Sequence, residues 1–118
     1  MDEKEFKNRT RDLALRCIRL VDALPKKPAA QVIGKQLLRS GTSIAANYRA
    51  ACRARSRPDI IAKLGIVEEE TDESLYWMDL LVEAGFVERG KLSALMKETE
   101  EILAMVVASI KTLRKAHA

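Results

Sequence analysis

The stretch LLRSGTSIAANYRAACRARSRPD, Leu37–Asp59, reads either as a phosphate-cradling loop with a basic tail or as part of one packed helix. Three serines, a glycine and an asparagine stand in it beside five arginines. A phosphate loop requires the GxxxxGK[ST] spacing after a strand, and neither is present. The helical reading has one weak point, RSGTS, because glycine inside a helix costs about 1 kcal/mol against alanine. Yet Ile33, Leu37, Ile44, Tyr48 and Ala51 keep one helical phase straight through it, which a loop would break. The spacing therefore predicts a single helix over about residues 29–55. Gly34 and Gly41 lie seven apart with Ala45 four beyond, a row of small residues that lets a second helix approach closely. Gln36, Ser40, Ser43 and Asn47 edge the apolar face, where they are expected to hydrogen-bond to a neighbouring helix or subunit.

Outward from this helix, the same periodicity predicts three more. Upstream, Phe6, Thr10, Leu13, Cys17, Leu20, Val21 and Leu24 mark a helix over about 3–24, ended by Pro25 and Pro28. Downstream, Ser56 is placed as an N-cap with Pro58 in the first turn, opening a helix over about 58–84. Gly85 is its expected left-handed stop. Ile60, Leu64, Val67, Thr71, Leu75, Met78 and Val82 form its core stripe. The last helix, about 89–115, carries Leu92, Leu95, Met96, Thr99, Ile102, Leu103, Val106, Ile110 and Leu113. No segment alternates like a strand. Four long helices with short links predict an all-α, antiparallel up-down-up-down four-helix bundle, one domain over 1–118.

Composition excludes several alternatives. Apolar residues make up 47% and charged residues 32% of 118, with 5 glycines and 3 prolines, so a disordered chain is not expected. No 20-residue apolar run is present, so no membrane span is expected. The start, MDEKEFKNRT, is charged where a secretory leader has an apolar core, and a cytoplasmic location follows as the expectation. Cys17 and Cys52 have no metal-ligand spacing and are read as reduced thiols; the only histidine, His117, is read as a solvated tail residue. Glu70 and Glu73 are three apart, but a bundle metal site of the Glu-x-x-His type has no histidine to use. No nucleophile is paired with a base. A non-enzymatic protein without metal or cofactor is expected.

Charge is distributed unevenly. Net charge is +4, but Lys35–Lys63 holds seven basic residues and one acid, whereas Leu64–Gly90 holds eight acids and one base. On a helical wheel Lys35, Arg39, Arg49, Arg53 and Arg57 fall within about an 80° arc opposite the apolar face. A line of guanidinium groups suits phosphates, so these five are candidate nucleic-acid contacts. The alternative is that the arginines pair with Glu68, Glu69, Asp72 and Glu73, leaving a structural or adaptor oligomer that binds a protein partner. The third helix also carries a second apolar band, with Ile66, Tyr76, Trp77 and Leu80 around Glu69 and Glu73. Such a band marks a contact surface, so homo-oligomerisation is expected there.

Leu24–Leu81 resembles the four-helix-bundle family of proteins encoded in intervening sequences of bacterial 23S rRNA genes. The likeness lies in the leucine-proline turn, QLLRSGTSIAAN, the Ser/Arg-rich junction before Asp59, and the acidic helix with YWMDLL. It implies a compact antiparallel bundle assembling as a ring-like homopentamer. It also implies kinship with the accessory variability protein of diversity-generating retroelements, which is similar in fold and binds nucleic acid and a reverse transcriptase through a basic pentamer surface. Arg39, Ser40, Ser43, Asn47 and Glu73 match the family pattern as packing or interface positions. Two positions depart from it. Ala50 stands where many relatives have Glu, leaving the basic stripe less neutralised, and Ile60 stands where Phe is usual.

Overall fold

The computed structural model describes residues 2–117, and the side chain of His117 lies outside the described residues. Four helices follow one another: α1 Glu3–Asp22, α2 Pro28–Cys52, α3 Arg57–Glu83 and α4 Arg89–His117. They form a rod 49 Å long and 21 Å across. Sequential helices pack side by side, α2 against α3 most extensively, and α1 against α4 least.

Helix ends obey local chemistry. Asp2 caps α1 by accepting from the Lys4 amide, and Ser56 caps α3 by accepting from the Asp59 amide at 3.2 Å. At the close of α3, Gly85 takes φ 79°, the Gly85 amide donates to Val82 and the Phe86 amide to Leu81. That double bond satisfies two orphan carbonyls and returns Phe86 toward the core. The glycine and the Ser56 cap stand where the sequence places them. The end of α2 does not: it stops at Cys52 rather than at residue 55, because Arg53–Arg55 are needed to turn the chain before Ser56 goes extended.

The predicted stripes become one core containing Phe6, Leu13, Cys17, Leu37, Ile44, Val67, Met78, Leu81, Ile102 and Val106. In α3 the buried face is rotated slightly from the expected one. Ser74 and Leu81 are buried while Ile60, Leu75 and Val82 are only half-buried. The cause is α2: Ser74 Oγ donates to Ser40 Oγ at 2.8 Å in a buried contact between the two helices. A hydroxyl pair satisfied in this way can be hidden like an apolar one.

The glycine row brings α1 onto α2. A Cβ at Gly41 would sit 2.7 Å from Cys17 Sγ and 3.1 Å from its Cβ; at Gly34 it would meet the Leu24 Cδ1 methyl at 2.7 Å. The two sites differ in what must yield. Leu24 Cδ1 is the free end of a side chain that can rotate, whereas the short Cys17 side chain is enclosed by the core. Gly34→Ala is therefore expected to be neutral or stabilising by up to about 1 kcal/mol, through helix propensity. Gly41→Ala is expected to cost about 1–3 kcal/mol by overpacking. Urea denaturation of both variants checks the contrast. A Cys17→Ala background should relieve most of the Gly41→Ala cost, a coupling that a propensity effect would not show.

Candidate functional site

The five basic residues on the expected stripe do not converge on one place in the fold. Arg39 turns to α3, where its guanidinium donates to Glu70 at 3.1 Å and to Glu73 at 2.5 Å. Glu73 also accepts from Trp77 Nε1 at 3.3 Å. These carboxylates, Glu73 foremost, push the Arg39 pKa above its ordinary value. Glu70 and Glu73, spaced like a possible metal pair in sequence, are thus both clamped on one arginine. Arg57 reaches the far end of α4 and donates to the Leu113 carbonyl at 3.1 Å. Lys35 is exposed, but about 21 Å of helix rise separates it from Arg49.

Arg49 and Arg53 remain, and the fold adds two cations from another helix. Lys7, Asn8, Thr10 and Arg11 on α1 face Ala45, Ala46, Arg49 and Arg53 on α2 across a groove of about 630 Å³. Its floor includes small residues and its sides carry four cations with no carboxylate among the lining residues. Among the described residues, Arg11, Arg49 and Arg53 have no ion-pair partner, and Lys7 has only the exposed Glu3 at 3.7 Å. An uncompensated cluster of this kind attracts anions, and three guanidinium forks suit phosphate oxygens. Sequence reading missed Lys7 and Arg11. They are four apart on one face of α1, a signal too common on helices to stand out before α1 is docked on α2.

The other polar edge residues act locally. Ser43 donates to the Arg39 carbonyl and Asn47 to the Ser43 carbonyl, both within α2, so of the four edge residues expected to cross to a neighbour, Ser40 makes an observed link. On α3, Ile66, Glu69 and Tyr76 are exposed, while Glu73, Trp77 and Leu80 are partly covered. Trp77 packs on the core and meets Tyr76 edge-on at 5.1 Å. A separate, mainly apolar cavity of about 650 Å³ opens at the bundle end, lined by Tyr48, Cys52, Ile60, Leu64, Met105 and Leu113 among others. The thiols add no reactivity: Cys17 is buried and its pKa is pushed up to about 12 by desolvation, and burial raises that of Cys52 as well. No helix among the described residues is long and apolar enough to cross a membrane.

These features define a four-helix bundle whose clearest surface specialisation is a basic groove between its first two helices. The chain belongs to the 23S rRNA-intervening sequence protein family, which it matches over residues 2–108. It is similar to the crystal structure of a protein of unknown function from the S23 ribosomal protein family of Bacteroides thetaiotaomicron VPI-5482. That likeness has a TM-score of 0.87 at 35% identity and covers 94% of this chain and 99% of the other. No curated protein matches the chain.

Proposed function

We propose that this chain is a non-enzymatic, self-associating helical bundle that binds nucleic acid, RNA in preference to DNA, through the α1–α2 groove. The observation that carries the reading is the convergence of Lys7, Arg11, Arg49 and Arg53 on one groove without a carboxylate in its lining. Each pair is one α-helical turn apart, about 6 Å, so the groove can meet a few phosphates of one strand. No aromatic is among its lining residues, which leaves bases unstacked and makes recognition one of backbone charge. Four cations on one groove can meet a few phosphates of a single strand, and single-stranded RNA and DNA of matched length titrated side by side test the preference.

Assembly as a homopentameric ring in the cytoplasm belongs to the same proposal. Its support within the chain is the exposed Ile66 and Tyr76 on α3, apolar surface with no use inside the bundle. A second reading, an adaptor for a protein partner, draws on Arg39 and Arg57, which are engaged within the chain rather than facing an outside ligand.

A salt titration separates the two. With four phosphates neutralised per groove, single-stranded RNA affinity should fall with a log–log slope near −3, from roughly −0.7 per phosphate. That is about a 50-fold loss between 50 and 200 mM salt. A slope near zero in a filter-binding or anisotropy titration would remove the nucleic-acid reading.

A further inference from the structure

The outer face of α3 is the chemical counterpart of the groove. Glu69, Asp72 and Tyr76, spaced i, i+3 and i+7, share that face and are all exposed. Among the described residues neither Glu69 nor Asp72 has an ion-pair partner. On the groove side, Leu15 and Ile18 continue the Arg11 side of α1 by one and two turns, and both are exposed apolar residues.

We infer that α3 of a second copy seats along the groove, so that self-association and nucleic-acid binding draw on the same cations. The inference rests on the reading of the groove as an anion site and names its second occupant. Order along the helices fits one register. In an antiparallel bundle α1 and α3 point the same way, and rotation about an axis along the rod keeps α3 of one copy parallel to α1 of the next. In that arrangement Glu69 and Asp72 lie over Lys7, Arg11, Arg49 and Arg53. Tyr76, one turn beyond Asp72, then falls at the level of Leu15 and Ile18, one and two turns beyond Arg11. Acids meet cations and the aromatic meets exposed aliphatic surface in a single placement. The contact joins two different faces, so it is head-to-tail and closes a ring where the rotation permits. A groove filled by a neighbour's α3 cannot hold RNA, and a polyanion in excess displaces the neighbour.

Charge reversal on each side tests this. Sedimentation of the full chain at micromolar concentration should show an oligomer for the wild type and monomers for E69K/D72K and for R49E/R53E, with helical content unchanged by circular dichroism. An equimolar mixture of the two variants should associate again as even-numbered heterotypic species. The lysine-bearing α3 of one meets the carboxylates placed in the other's groove, while the unaltered groove and unaltered α3 pair at the alternate contact. Two strictly alternating variants cannot close a five-membered ring. Short single-stranded polyuridine RNA should lower the wild-type mass and bind E69K/D72K at least as tightly as wild type. A monomeric wild type, a variant that keeps the wild-type mass alone, or a mixture that stays monomeric would overturn the docking. If the mixture associates while no protein binds polyuridine, the docking stands and the nucleic-acid reading falls. If R49E/R53E loses polyuridine yet keeps its mass, the reverse holds.

Discussion

Phe6→Ala is expected to destabilise the bundle by about 3–5 kcal/mol, the range for deleting a buried aromatic ring. Phe6 is 0% exposed, and its ring centroid lies 4.5 Å from that of Tyr48 on α2. Position adds to the effect. The first helix shares its smallest interface with α4, where Arg9 holds Glu98 through donors at 2.6 and 3.0 Å. The start of α1 is therefore anchored mainly by Phe6 and by that ion pair. Tyr48, the ring partner of Phe6, also lines the cavity at the same bundle end. Against a typical total of 5–15 kcal/mol, such a loss should lower the melting temperature by about 10–20 °C. Tyr76→Ala is the control. Tyr76 is 55% exposed, and at a dilution where the chain is monomeric its truncation should change stability by no more than about 0.5 kcal/mol. Equal effects from the two variants would mean that the α1 packing is wrong.

The contrast between these aromatics also shows what the sequence could and could not reveal. Phe6 sits in a stripe with Thr10, Leu13 and Cys17 at helical spacing, and all four are buried as that spacing predicts. Such periodicity is a property of one helix and survives without knowledge of its neighbours. Tyr76 and Trp77 are adjacent and fall in one apolar band by sequence, yet Trp77 packs on the core while Tyr76 faces outward. Adjacent residues are about 100° apart on a helix, and only the placement of the neighbouring helices decides which of them is covered. Ser74 is a similar case: its burial depends on Ser40 across the interface. The basic stripe divides for the same reason. Arg39 and Arg49 differ by about 80° on the wheel, enough to send one to the carboxylates of α3 and the other to the α1 side. A charge on a helix face is legible in sequence; its partner is not.

That division gives the prediction with the largest effect on binding, because the stripe and the groove name different residues. Counterion release contributes roughly 0.7 log unit of affinity per phosphate at 0.1 M salt relative to 1 M. Removing either pair from the groove, Lys7/Arg11→Ala or Arg49/Arg53→Ala, should then weaken single-stranded RNA binding about 25-fold at 0.1 M and flatten the salt slope by about 1.4. Lys35/Arg39→Ala removes as much charge from the same helix but should leave the slope unchanged. Arg39 is already neutralised by Glu70 and Glu73, and Lys35 lies nearly four turns from Arg49, the nearer groove arginine of α2. Equal net charge in all three variants isolates placement from total charge, which general electrostatic attraction would not distinguish. Anisotropy titrations at several salt concentrations decide the matter. Loss of affinity with Lys35/Arg39→Ala and retention with Lys7/Arg11→Ala would return the site to one face of α2. The expected pattern would instead place it between two helices, where α1 supplies half the charge.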